Sequence, residues 1–163
     1  VRTDDLFDFD EDDLDDLLWP RPRYPLLRKL NPRRGLLRWH TRRVVSFEYR
    51  GPAFTEGAGH ESRSITFWDR RSPNSDVGMV SYRICHECRW GYVDSIDVRE
   101  RLWGRGIATR ALAEIREQVP GYTWRTSMQK YEARSFWLLL AERTGEDYID
   151  TDRYCPHILR PPV

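Results

Sequence analysis

The stretch VRERLWGRGIATRAL, residues 98–112, decides how this chain is read. It follows an alternating apolar segment, YVDSIDV over residues 92–98, and sets Gly104 and Gly106 where a new period begins. From Ile107 onward, Ala108, Ala111, Leu112 and Ile115 recur at helical spacing, and Pro120-Gly121 ends the pattern. The local order is therefore strand, glycine turn, helix. A helix N-terminus carries unpaired N–H groups and a partial positive charge. Glycines allow φ > 0 there and let a ligand approach the main chain closely. Such a turn suits a diphosphate, and Arg101, Arg105 and Arg110 add positive charge beside it. Two other phosphate motifs are excluded. There is no Gly-x-x-x-x-Gly-Lys-Ser/Thr run, and the third glycine of a dinucleotide fingerprint would fall on Thr109.

Upstream of this turn the sequence reads as an antiparallel meander. Residues 36–50 are expected as a first strand, 64–69 (SITFWD) as a second, 77–84 (VGMVSYRI) as a third and 92–98 as a fourth. A glycine-rich loop over 51–62 separates the first two, and CHECRWG (85–91) forms a hairpin tip. Downstream, YTWRTSM (122–128) is a fifth strand, reached by a helical crossover and so parallel to the fourth. A second helix covers 132–145 and stops at Gly145; EDYID (146–150) and YCPHIL (154–159) are expected as late strands. The fold class is α/β, a mixed sheet with helices on its faces.

At 163 residues the chain fits one domain, with a net charge of +1 that points to no nucleic-acid or membrane partner. Charge is distributed in blocks. Residues 4–16 hold nine acids and no base, and residues 21–43 hold nine Arg or Lys and no acid. The first block reads as a solvated or docked arm able to contact a basic partner, with Leu14, Leu17 and Leu18 on one helical face. Four prolines over 19–35 make a connector. The expected division is an arm and connector over 1–35 and a folded domain over 36–163. No run of residues is long and apolar enough to span a bilayer, and no secretory signal shows. Three cysteines fit a reducing compartment, so the expected location is cytoplasmic.

The segment IDVRERLWGRGIATRAL resembles motif A of the GNAT superfamily of N-acetyltransferases, (Gln/Arg)-x-x-Gly-x-(Gly/Ala), with Arg101, Gly104 and Gly106 at its three fixed positions. Residues 77–143 follow the family's central order of strand, strand, helix, strand, helix. The resemblance implies a fold whose fourth and fifth strands splay apart, with acetyl-CoA as co-substrate lying in the gap. It implies that backbone groups of Ile96 and Val98 pair with the pantetheine arm. The N–H groups of Gly104, Arg105, Gly106, Ile107 and Ala108 would hold the diphosphate, with Thr109 offering a hydroxyl. Where the family often has a general-acid tyrosine, in a pattern like Asn-x-x-Ala-x-x-Phe-Tyr, this chain has Lys130, Ala133, Phe136 and Trp137. Trp137 therefore stands at the cofactor-facing position, and indole cannot protonate a thiolate.

Asp94 is the expected catalytic base, because strict alternation would set its carboxylate on the face of Tyr92, Ile96 and Val98. Glu48 and His60 lie where an acceptor site could form, His60 in a loop. Cys85 and Cys88 have CxxC spacing, and Cys155 with His157 could complete a Cys3His zinc set. The sequence does not say whether the last strand reaches the hairpin tip, so free, partly buried thiols and no metal are expected. The leading expectation is an acyl-CoA-dependent N-acyltransferase acting on an amine, as monomer or homodimer. A non-catalytic module binding CoA or a protein partner is the alternative, and nucleic-acid binding ranks last.

Overall fold

The computed structural model describes residues 32–54, 59–72, 75–127, 129–146, 148 and 155–159. The chain divides into two compact units, Val1–Leu36 and Leu37–Val163. The acidic block, its three leucines and the connector up to residue 31 lie outside the described residues.

Helix α1 runs over Pro32–Val44 and is followed by β1 (Val45–Phe54), β2 (Glu61–Asp69), β3 (Asp76–Cys85) and β4 (Trp90–Val98). After a 3-10 turn over Glu100–Leu102 come α2 (Ile107–Gln118), β5 (Thr123–Thr126), a second 3-10 turn over Tyr131–Ala133, α3 (Arg134–Thr144) and the short α4 (Pro156–Leu159). The sheet order is β1-β2-β3-β4-β5. The first four strands pair antiparallel, and β4 pairs parallel with β5. The expected meander and parallel crossover are both present. No described helix is long and apolar enough to cross a membrane.

Two expectations need correction. Residues 36–44 are the body of α1, not part of the first strand. Proline fits the first helical position, where its ring fixes φ and no N–H is needed. The cations Arg42 and Arg43 fall in the last turn, facing its partial negative charge. Thr41, a β-branched residue that counted toward a strand, donates its hydroxyl to the Leu37 carbonyl at 2.7 Å, the helical i−4 bond. The second correction concerns the C-terminal end. No described residue of 146–159 is in a strand, and the expected YCPHIL strand is instead α4, entered through Pro156.

The main core lies between the sheet and its helices. Ile65, Phe67, Val80, Tyr82 and Val93 meet Ile107, Ala111, Leu112 and Ile115 of α2, all almost without solvent exposure. Each buried Ile or Leu contributes about 1.5–3 kcal/mol. Trp124, Trp137, Leu140 and Tyr148 belong to the same core. A second, smaller cluster gathers Cys85, Tyr92, Cys155 and Ile158. Gly145, with φ of 72°, ends α3 by donating its N–H to the Ala141 carbonyl at 2.9 Å.

Candidate functional site

The site begins with an irregularity in β4. Ser81 pairs with Ser95, but the next residue of β3, Tyr82, pairs with Val93. Asp94 is the extra residue, a bulge that bends the strand and increases its twist. The β4–β5 pairing stops at the same place. Its rungs run from Trp90 with Thr123 to Val93 with Thr126. Ser127 adds a last tie, its N–H to the Val93 carbonyl at 3.0 Å and its hydroxyl to the Asp94 carbonyl at 2.6 Å. Beyond it, β4 continues through Ser95, Ile96 and Asp97 to Val98 with no rung to β5.

The open side of this segment can be assigned from the ladder. Arg99 donates its N–H to the Val77 carbonyl at 3.0 Å, so these two form a hydrogen-bonded pair. Antiparallel pairs alternate. Asp97 with Met79 and Ser95 with Ser81 are then hydrogen-bonded pairs, and the peptide groups of Ile96 and Val98 point away from β3. Trp103 bears this out: its indole N–H reaches the Val98 carbonyl at 2.5 Å.

The strand then delivers the chain to the glycine turn. Gly104 and Gly106 have φ of 70° and 80°, the left-handed region. Gly106 caps α2 without a side-chain partner. The first amide of α2 to find a helical acceptor is that of Arg110, which donates to the Gly106 carbonyl at 3.0 Å. The amides of Ile107, Ala108 and Thr109 therefore lack an intrahelical acceptor. A Cβ on Gly106 would meet nothing nearer than the Arg38 side chain at 3.7 Å, so the mouth of the turn is open. Arg101 is exposed on the 3-10 turn, and its charge is felt at Asp69.

A cavity of about 790 Å³ adjoins the turn on its β1 side and shares Arg105, Gly106, Ile107 and Thr109 with it. Arg38, Arg42, Arg70 and Arg143 also line it. Its floor is β1, so it is distinct from the gap between β4 and β5. Arg110 is committed to the fold there. Its guanidinium lies 3.7 Å from the Phe47 ring centroid and donates to the Val45 carbonyl at 3.1 Å. Tyr49 donates its hydroxyl to Glu114, and burial together with that carboxylate pushes the phenol up to about 12. The wall of arginines from α1 was missed in the sequence, because residues 36–44 were read as strand. The basic block over 21–43 was its only trace.

Asp94 does not sit where strict alternation would put it. The bulge breaks the alternation, so Asp94 lies with Tyr92, while Ile96 and Val98 pack toward the main core with Val93. Arg83 grips its carboxylate, with Nε at 2.8 and 3.1 Å from the two oxygens and an Nη at 2.5 Å. Trp137 is 3% exposed, packed against Phe136 and, at 5.4 Å between centroids, against Tyr148. It is a core residue. Glu48 accepts the Trp68 indole N–H at 2.6 Å, and His60 faces the His157 carbonyl at 3.0 Å. The arrangement offers an open strand edge for an extended, amide-bearing chain. It leads into a tip of free amides for a diphosphate, with no atom nearer than the Arg38 side chain at 3.7 Å to crowd Gly106.

Residues 11–139 match the family model described as the Acetyltransferase (GNAT) family. No curated protein matches the chain. Among solved structures, the chain is similar to a candidate acetyltransferase from Deinococcus radiodurans R1, determined at 1.19 Å. The TM-score is 0.45 at 10% identity, covering 70% of this chain and 90% of that one.

Proposed function

Because the chain belongs to the Acetyltransferase (GNAT) family, we propose that it transfers an acetyl group from acetyl-CoA to an amine. The observation that carries this reading is the end of β4–β5 pairing at Val93 and Thr126, five residues before β4 ends and leads into the two left-handed glycines. The pantetheine amides would pair with the outward-facing peptide groups of Ile96 and with the N–H of Val98, whose carbonyl is held by Trp103, in the manner of an added strand. Gly104 to Thr109 would hold the diphosphate through main-chain N–H groups. Arg105, with Arg38 and Arg42 across the cavity mouth, would supply charge for the remaining phosphate.

The reaction asks little of the protein beyond position. The amine nitrogen forms a bond to the thioester carbon, the carbon–sulfur bond breaks, and the amine proton ends on the CoA thiol. An unpaired β4 amide beside the gap is suited to stabilising the oxyanion. Asp94, clamped by Arg83, is assigned to holding the bulge and not to proton removal. On this reading water carries the proton, and the thiolate leaves without a tyrosine acid.

Among the described residues, the acceptor side is short of cover. Residues 55–60 alone connect β1 to β2, too few for a helical wall. This fits an amine presented on a larger molecule, such as a peptide N-terminus or lysine. The test is release of CoA thiol with a panel of small amines and peptides, alongside thermal stabilisation by acetyl-CoA. The reading expects both stabilisation and thiol release with at least one acceptor. The burial of Trp137 favours a second reading, a module that binds CoA without turnover. Stabilisation with no thiol release on any amine would select it.

A further inference from the structure

Far from the glycine turn, the structure brings together two pairs of side chains that lie about 70 residues apart in sequence. Cys85 and Cys88 bracket the β3–β4 hairpin turn; Cys155 and His157 open α4. Their ligand atoms all lie within 4.8 Å of one another. We infer that these four residues form a structural zinc site that fastens the C-terminal segment to the hairpin tip.

The distances suit the ion. Tetrahedral zinc, with sulfur at about 2.3 Å and nitrogen at about 2.0–2.1 Å, sets each nitrogen–sulfur separation at roughly 3.5 Å. His157 Nδ1 lies 3.6, 3.2 and 3.6 Å from the sulfurs of Cys85, Cys88 and Cys155. One imidazole nitrogen thus faces all three sulfurs at once, which neither a disulfide nor a hydrophobic contact requires. The other ring nitrogen, Nε2, is 3.4 Å from a Glu87 carboxylate oxygen. A carboxylate behind a ligating histidine fixes the tautomer and raises the basicity of the ligating nitrogen.

The surroundings suit thiolates. The Cys88 N–H points to the Cys85 sulfur at 3.4 Å, the amide-to-sulfur contact a CxxC turn makes. The amides of His157 and Ile158 approach the Cys155 sulfur. Cys85 and Cys155 are buried, and Cys88 and His157 half-buried, so water has limited access. Gly59 completes the fit. A Cβ there would lie 2.7 Å from His157 Cβ, so only glycine lets that loop close over the histidine. Binding would release three thiol protons to solvent, with no change of oxidation state. The free thiols expected from sequence give way to a closed Cys3His set because α4, not a strand, carries Cys155 and His157 to the tip.

Four protein ligands leave no open position, which marks a structural and not a catalytic centre. Its place agrees. Trp90, paired with Cys85, and Val98, at the glycine turn, stand at opposite ends of β4, about 26 Å apart. The site also reaches the bulge, because Arg83 holds the Ile158 carbonyl at 2.6 Å as well as Asp94.

The test uses the full chain, expressed with added zinc and purified without chelator. Elemental analysis should find one zinc per chain. Cobalt added to the metal-free protein should give the absorption of a tetrahedral thiolate site, saturating at one equivalent. Glu87→Gln, on an exposed side chain and compatible with folding, should weaken metal binding about 10-fold. Cys155→Ser should abolish the thiolate band. Absence of zinc with three titratable thiols would overturn the proposal. So would a disulfide among the cysteines, or bound cobalt lacking the thiolate band.

Discussion

Arg83 and Asp94 form a bidentate ion pair at the single residue by which β4 outruns β3. The guanidinium also reaches the Ile158 carbonyl, so one side chain joins the bulge, the hairpin and the C-terminal helix. A carboxylate held this way is a bracket for the strand that borders the gap.

Asp94→Asn should therefore act on stability more than on chemistry. Both partners are largely shielded, at 24% and 31% exposure, and the loss is expected to be about 1 kcal/mol. For a chain of this size that lowers Tm by about 2–4 °C. The pH profile of kcat/KM should keep its acidic limb. Disappearance of that limb in the variant would restore Asp94 as the base.

The two glycines of the turn are conformational requirements first. Gly106→Ala has room for its methyl group, with Arg38 at 3.7 Å, but must hold φ near 80°. The expected cost is about 1 kcal/mol of folding stability. Misaiming one amide at a diphosphate should cost CoA affinity about tenfold or more. Urea denaturation and calorimetry measure the two effects separately. A variant that loses stability and keeps full affinity would place the anion elsewhere.

Trp137 offers a sharper contrast. Restoring the tyrosine common in the family, by Trp137→Tyr, should bring no gain in kcat, because the position is buried against Phe136 and Tyr148. Trp137→Ala should cost about 3–5 kcal/mol, as for other large buried aromatics. A rate increase in the tyrosine variant would show that the side chain reaches the reacting thioester.

Much of this was legible in the sequence, for definite reasons. Gly104, Gly106 and the 107–115 apolar spacing announce a strand–turn–helix because the periods on either side differ. Gly145 announces the end of α3. The bulge was not legible, since Tyr92, Ile96 and Val98 read in sequence as one alternating set, and the change of face after Asp94 shows only in the register with β3. Asp94 was misplaced for that reason. Residues 36–44 misled because Thr41 and Val44 within them, and Val45 and Phe47 just after, carry strand propensity across the boundary. The cysteine cluster was visible as spacing, but its closure depends on where the chain brings Cys155 and His157.

The turn between β2 and β3 gives a pH prediction. Asp69 accepts from the Arg71 amide at 2.9 Å and from its guanidinium at 3.1 and 3.0 Å. These bonds lower the carboxyl from 3.8 to about 2. A depressed folded value means that the contribution is complete above 3.8 and is lost as pH falls toward 2. Asp69→Asn should flatten the fall in urea midpoint over that interval. Arg71 is exposed, so the effect should shrink in high salt. An unchanged acid profile in the variant would assign the fall to other carboxylates.

A crystal structure of the protein with CoA would show where the cofactor lies. The pantetheine should lie alongside Ile96 and Val98, and the diphosphate against the amides of Ile107, Ala108 and Thr109. Density for the diphosphate in the arginine-lined cavity above β1, away from these amides, would contradict it. So would a gap left empty at CoA concentrations that saturate family enzymes.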